Sequence, residues 1–364
     1  MWRVGASELA GLIRRREVSA RDAATSVLAR IAEVNPRINA LPEVLAEQAL
    51  DSAVACDRAL AAGFAPGPLH GVTVTIKVNV DSAGHATTDG IGAAKDNIAR
   101  SDSPVVAHLR AAGAVIVGRN NTPAFSQRWF TENDLHGRTL NPFDAKVTPG
   151  GSSGGAAAAV TTGMRPIAHG NDYGGSNRYP AWACGVVGLR TTVGRVPSYK
   201  ASTPNLVPTN QMMSVQGPLT RNVADAHLAL QVMAQGSPLD PHWAPVPLEF
   251  ADGGRPTRVA MIKRHAAFDA DPTVVAAVDV SVQAQVLELF HQVRREFGLS
   301  MVFITHDLRV AAQMCDHIAV MRRGEIVEMG SASQVLADPR HAYTRELIAA
   351  APHFHSSLES SIAA

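Results

Sequence analysis

Behind Ser19, apolar residues recur at helical spacing. Ala24, Val27, Leu28 and Ile31 fall on one side of a 3.6-residue repeat. Ser19, with Asp22 three residues on, is a helix-starting cap, and Asn35-Pro36 predicts the helix end. Upstream, MWRVGASELAGLIRRREV is amphipathic and charged. The rhythm changes in GPLHGVTVTIKVNVD, where a Gly/Pro loop leads into an alternating β-branched run that predicts a strand. SPVVAHLRAAGAVIVGRNNTPAF predicts helix, turn at Gly113, short buried strand and loop. Further on, GPLTRNVADAHLALQVMAQG predicts a helix with Thr220 as its cap. SPLDPHWAPVPLEFADGGRPT predicts a loop, RVAMIK a strand and DPTVVAAVD the start of a helix. Helices and strands that alternate in this way predict an α/β sheet protein.

Between Thr148 and Arg190 the pattern dissolves into Gly, Ser and Ala. Such text often marks a flexible linker. Here periodic apolar segments flank it, and a second glycine turn follows at Gly174-Gly175. The glycines therefore read as positions where backbone N–H groups turn inward at close range. Composition narrows the field further. A net charge of +1 with 18% charged residues excludes a nucleic-acid-binding face and a disordered chain. The three cysteines, Cys56, Cys184 and Cys315, are odd in number and far apart, which argues against a disulfide framework or zinc knuckle and fits a reducing compartment. No segment is apolar for long enough to span a membrane, and the start has no uninterrupted apolar core of a secretory leader. A soluble, cytoplasmic protein is expected.

The chemistry concentrates in GNDYGGSNR, which sets Ser176 directly behind two glycines. A serine hydroxyl is a poor nucleophile until a neighbour takes its proton, and no histidine–acid pattern nearby offers to do so. Four segments in order, GPLHGVTVTIKVNVD, TPGGSSGGAAAAV, HGNDYGGSNRYPAWACGVVGLRTT and QGPLTRNVADA, resemble the amidase signature family of serine amidohydrolases. The resemblance covers residues from about 5 to 279. It implies a mixed sheet flanked by helices and a Ser–cis-Ser–Lys catalytic set without cofactor. Carried over by motif, the lysine is Lys77, the bridging serine behind a cis peptide is Ser152 and the nucleophile is Ser176. The backbone N–H groups of Tyr173, Gly174, Gly175 and Ser176 are expected to cradle the oxyanion, with Ser153 and Asp172 as supporting hydrogen-bonding residues. Lysine accepts a proton only when neutral, so Lys77 must be buried. Arg178 is expected to hold the loop, and Cys184 to be core. The sequence departs from the family at Thr73, where a proline is usual, at Val78, where an acid is usual, and at Asn177, where an aliphatic residue is usual.

From about Asp279 the text resembles something else, the C-terminal part of an ATP-binding subunit of a peptide-type ABC importer. FITHD places His306 in that family's switch position, and VMRRGEIVEMG predicts a hairpin turning at Arg323-Gly324. No phosphate-binding loop, signature motif or Asp-Glu strand accompanies it, so no ATPase is expected. His341, His353 and His355 lack ligand-like partners, and no metal is assigned. The expected organisation is an amidase-type domain over 1–279, incomplete at its C-terminal side, and a small α/β lobe over 280–364. The expected activity is hydrolysis of a small carboxamide, with no cofactor, metal or nucleic-acid partner. The rival is a catalytically impaired chimera of the two fragments.

Overall fold

The computed structural model describes residues 1–203, 208–248, 315–322 and 325–349. The chain falls into two units, Met1–Gly253 and Gly254–Ala364. The strand expected in RVAMIK, the helix expected in DPTVVAAVD, the seam at 279–280 and His306 lie outside the described residues.

In the first unit, α1 (Ala6–Arg14) buries Ala6, Leu9, Ala10 and Ile13, one helical stripe. Helix α2 (Ala20–Ile38) begins as expected, with Ser19 accepting the Asp22 N–H at 2.9 Å. It runs past Asn35-Pro36 to Ile38 and ends on Asn39, whose φ of 53° is left-handed. Pro36 sits in the last turn, and the Asn35 side chain takes over there, accepting the N–H groups of Ala40 and Leu41. Both helices also start on carboxylates from elsewhere in the chain. Asp57 accepts the Ala20 and Arg21 N–H groups, and Asp225 accepts those of Ala6 and Ser7.

Strand β1 (Glu43–Val44) and α3 (Ala46–Ala61) lead to β2 (Thr73–Lys77), every residue of which is buried. Next come α4 (Pro104–Ala111), β3 (Val115–Asn120), the small ribbon β4 (Glu132–Asn133) and β5 (Gly137–Arg138), α5 (Gly154–Thr161), β6 (Ile167–Asp172), α6 (Arg178–Ala183) and β7 (Val187–Gly188). The short α7 (Pro208–Met213), β8 (Val215–Thr220) and α8 (Val223–Met233) close the unit. The Gly113 turn between α4 and β3 has the expected positive φ. At the other end the expectation needs correction. Gly217–Thr220 is strand, and the helix cap is Asn222, whose side chain accepts the Asp225 N–H at 2.8 Å. Pairing with β6 along its whole length, from Ile167 opposite Thr220 to Asp172 opposite Val215, overrides the loop-like look of Gly217-Pro218.

The sheet order is β1-β3-β2-β6-β8-β7. β2 lies between parallel neighbours β3 and β6, while β1, β8 and β7 pair antiparallel, so the sheet is mixed. Alternation splits its side chains between two cores. Val115, Val117 and Ala168 pack with α2, α3 and α5, whereas Ile116, Ile167, Val74 and Ile76 pack with α4 and α8. Helix α5 is buried all round from Gly154 to Val160, and its run of alanines lets the backbone come close to the sheet. A Cβ on Gly155 would stand 2.5 Å from the Asn121 nitrogen. This close seat carries the Ser152-Ser153 turn onto the end of β2.

In the second unit, β9 (His317–Arg322) and β10 (Glu325–Ser331) pair antiparallel, with Arg322 opposite Glu325, as the predicted hairpin requires. Helices α9 (Ala332–Ala337) and α10 (Ala342–Ala349) follow, and Ile318, Val320, Val335, Leu336 and Ile348 form its small core.

Candidate active site

Lys77 is the last residue of a strand with neighbours on both sides, and its side chain is fully buried. By the two-residue period it shares a face with Thr75, opposite Val74 and Ile76. Its Nζ donates to Ser152 Oγ at 2.7 Å, to Asn171 Oδ1 at 2.8 Å and to Ser153 Oγ at 3.0 Å. Burial pushes the Lys77 ammonium down to about 7, against the pull of Asp89 and Asp172, and Lys200 adds to the depression. Among the described residues no carboxylate contacts Nζ.

Ser152 and Ser153 form the turn into α5. The Gly151–Ser152 peptide is cis, as expected. Gly151 has no room for a side chain, since a Cβ would meet the backbone of Arg128 to Phe130. Ser153, expected only in a supporting role, touches the lysine directly. Its Oγ donates to the Asn171 carbonyl at 3.2 Å, and its N–H donates to the Ser176 carbonyl at 3.0 Å. That last bond ties the two serine turns together.

Ser176 stands in the turn between β6 and α6 and lines, with Ser152, Asn79, Asn171 and Tyr173, a cavity of about 130 Å³. The first step of the expected proton chain, Lys77 to Ser152, is thus present at hydrogen-bond distance. Among the described residues no hydrogen bond joins Ser152 Oγ to Ser176 Oγ, so the second step is open in this conformation. Catalytic hydrogen bonds commonly tighten only with substrate in place.

Asp172 organises the turn that carries Ser176. Its buried carboxylate accepts the N–H groups of Gly175 (2.8 Å), Asn177 (3.1 Å) and Arg178 (3.3 Å), and it pairs in two places with the Arg178 guanidinium, each at 3.0 Å. Burial works to raise this carboxyl, but Arg178 and the N–H groups outweigh it and hold Asp172 below the ordinary carboxylate range. Arg178 therefore holds the loop, as expected. The expected cradle needs one correction: the Gly175 N–H is turned to Asp172, because a buried carboxylate claims the nearest donors. The N–H groups of Tyr173, Gly174 and Ser176 make no hydrogen bond among the described residues. Gly175 has a φ of 104°, which favours glycine there.

Three residues escaped the sequence reading. Asn171 contacts Lys77. Asn79 accepts from Asn171. His169 lies fully buried behind the lysine, its Nδ1 facing the Lys77 N–H at 3.4 Å and its Nε2 facing Gln216 Oε1 at 2.8 Å. Burial pushes His169 down to about 4, so the imidazole is neutral. The polar positions His169 and Asn171, alternating inside a strand buried at every residue, were the available signal. Cys184 is core as expected, its thiol pushed up to about 12 by burial. Among the described residues no group of histidines, cysteines and carboxylates could hold a metal ion, and no helix is long and apolar enough to cross a membrane.

The Amidase family model matches residues 22–321 of this chain, a stretch that runs across the expected seam at 279–280. The chain is 47% identical over 279 residues to an indoleacetamide hydrolase of Bradyrhizobium diazoefficiens, covering 76% of this chain and 53% of that protein. It is 40% identical over 248 residues to a glutamyl-tRNA(Gln) amidotransferase subunit of Moorella thermoacetica, covering 68% of this chain and 50% of that protein. Among solved structures, a bacterial aryl acylamidase of the amidase signature enzymes superposes with a TM-score of 0.63 at 33% identity, over 67% of this chain and 50% of that one. The peptide amidase of Stenotrophomonas maltophilia superposes with a TM-score of 0.62 at 32% identity, over 68% of this chain and 51% of that one. The chain spans about half the length of the curated relatives it matches.

Proposed function

The chain belongs to the amidase family, and from that premise we propose that it hydrolyses the C–N bond of a carboxamide with Ser176 as nucleophile, Ser152 as proton relay and Lys77 as base. The observation that carries this reading is a fully buried lysine amine, free of contacting carboxylates among the described residues, 2.7 Å from the hydroxyl of a serine that shares a cavity with Ser176.

The partners of Nζ support the direction of proton flow. Asn171 Oδ1 can only accept. Ser153 has committed its hydroxyl hydrogen to the Asn171 carbonyl, so it too accepts from the lysine. A neutral amine has two hydrogens and one lone pair. With both hydrogens so placed, the lone pair is left for Ser152, whose hydroxyl has no other acceptor among the described residues. In the proposed reaction Ser176 Oγ attacks the carbonyl carbon, its proton passes to Ser152 Oγ, and the Ser152 proton passes to Lys77. The N–H groups of Tyr173, Gly174 and Ser176, which make no hydrogen bond among the described residues, would receive the oxyanion. The C–N bond then breaks, and the leaving amine takes a proton back from Lys77 through Ser152. Water, deprotonated along the same path, cleaves the acyl ester and restores Ser176.

The names of the relatives point to a carboxamide substrate, and indole-3-acetamide is the first to test, by ammonia release. The chain treated with a fluorophosphonate should carry one label, lost in Ser176→Ala. A folded, unlabelled protein would defeat the reading and favour the impaired chimera.

A second reading concerns residues 280–364. The likeness to an importer's ATP-binding subunit rests on the sequence alone: the hairpin of β9 and β10 fits many folds, and the family match through residue 321 weighs against it. In either case ATP should not raise the melting temperature, since a ligand without a site stabilises nothing. A shift of several degrees at millimolar ATP would reverse that expectation.

A further inference from the structure

The contact between Lys77 and Asn171 is the first link of a longer chain. Asn171 Nδ2 donates to Asn79 Oδ1 at 3.0 Å, Asn79 Nδ2 donates to Ser126 Oγ at 2.9 Å, and Ser126 Oγ donates to Asp89 Oδ1 at 2.7 Å. Each amide uses its oxygen toward the lysine side and its nitrogen toward the aspartate side. The chain therefore has a single polarity, from an amine that donates to a carboxyl that accepts. Reversing either amide would set donor against donor at its lysine-side contact and acceptor against acceptor at its aspartate-side contact. Asn79, Asp89, Ser126 and Asn171 all line the cavity that holds Ser176. Asp89 and Ser126 also carry left-handed φ values of 47° and 56°, a conformation that costs energy in non-glycine residues and gathers at functional sites.

We propose that Asn171 and Asn79 are positioning residues for the base: by this polarised chain they keep an acceptor on Lys77 and so hold its lone pair on Ser152. The inference rests on the proposed role of Lys77. If Asn171 turned its NH2 to the lysine, Nζ would lose an acceptor, and one of its hydrogens would move toward Ser152, where the lone pair is needed. The other charged or titratable groups around Lys77 are Asp172 at the end of β6, His169 behind it, and Lys200 and Asp89 from the cavity wall. None of them contacts Nζ, so a carboxylate put in place of the Asn171 amide would bring a negative charge into contact with it.

The test uses the rate of fluorophosphonate labelling of Ser176 as a function of pH, which needs no knowledge of the substrate. In the wild-type chain the rate should rise with pH through an inflection near 7, where Lys77 loses its proton. Asn171→Asp puts a carboxylate on Nζ, so the inflection should move up by about one pH unit or more. Asn79→Leu should leave the inflection at or below that of the wild type and lower the limiting rate about tenfold, a typical fraction of a proton-transfer contribution. Asn79→Asp, which still accepts from Asn171, should restore most of that loss. An unmoved inflection in folded Asn171→Asp, or a wild-type limiting rate in Asn79→Leu, would overturn this inference alone. Should Asn171→Asp fail to fold, the two Asn79 variants still decide it. A folded wild-type chain that never labels would overturn the nucleophile reading and this inference with it.

Discussion

Two buried ionisable residues each stand beside one of the two serine turns and are treated in opposite ways. Asp172 is surrounded by donors: three backbone N–H groups and the Arg178 guanidinium hold it ionised. Lys77 is surrounded by neutral oxygens and, among the described residues, has no contacting carboxylate, so burial is left to depress it to about 7. The first arrangement fixes a charge and stabilises a loop. The second leaves a group poised between charged and neutral near pH 7, which costs stability and suits proton transfer. The loop around Asp172 is thus the frame, and the pocket around Lys77 is the part that works in the proposed reaction.

The comparison breaks most sharply if the two regions exchange phenotypes. Ser176→Ala should lower kcat for a carboxamide by at least about 10³-fold, and Lys77→Met by about 10²–10⁴-fold. Lys77→Met should also leave the denaturation midpoint unchanged or higher, because it removes a buried ionisable group and keeps the volume. Near-normal turnover in folded Lys77→Met would sink the lysine-base mechanism.

Asp172→Ala is the converse. It strands buried N–H groups and unpairs Arg178, so stability should fall by about 2–4 kcal/mol in chemical denaturation. Because Arg178 is half exposed, its charge finds water, which keeps the loss below that for a wholly buried pair. A variant as stable as the wild type would show that the turn is held by something else.

The pH dependence of stability sharpens the contrast: both groups make stability rise with pH, but in different windows, and one is a cost relieved while the other is a gain acquired. Lys77 has a lowered folded pKa. Between about 7 and its unfolded value the unfolded chain binds a proton that the native protein does not, so stability rises with pH across that window. The contribution is at most about 1.4 kcal/mol per pH unit and should vanish in Lys77→Met. Asp172 also has a lowered folded pKa, but it is a carboxyl. Its contribution is present above the ordinary carboxylate range and is lost as pH falls through its depressed value. Denaturation midpoints from pH 3 to 10, compared among the wild type, Lys77→Met and Asp172→Ala, test both windows.

Much of the frame was legible in the sequence because it is local. The Ser19 cap, the Gly113 turn, the β2 strand and the small-residue helix α5 each follow from neighbours a few residues apart. The three motif residues were legible only through the family resemblance, since β2, the α5 turn and the β6 turn meet by sheet pairing alone. What sequence reading missed is long-range and polar. Asp57 and Asp225 cap helices far from them, Asn79 meets Asn171 across the sheet, and β8 forms because β6 offers it a partner. Such contacts leave no period in the sequence and appear only once tertiary pairing exists.

The smallest expected effect lies between the two regions, at Asn177. This residue follows Ser176, the proposed nucleophile, and stands where the family usually has an aliphatic side chain. Its backbone N–H serves Asp172, and any residue except proline would supply that bond. Its side chain adds long contacts from Nδ2 to the carbonyls of Leu189 and Gly217 at 3.2 and 3.3 Å, and its buried Oδ1 has no partner. An unpartnered buried oxygen costs about as much as such weak bonds contribute. Asn177→Leu, which nearly keeps the volume, should therefore change stability by less than about 1 kcal/mol and the Ser176 labelling rate by less than about twofold. Denaturation and labelling of that single variant measure both. A loss as large as that of Asp172→Ala would mean that the Asn177 side chain, and not the Asp172 carboxylate, holds the nucleophile turn, and the division between frame and working pocket would have to be redrawn.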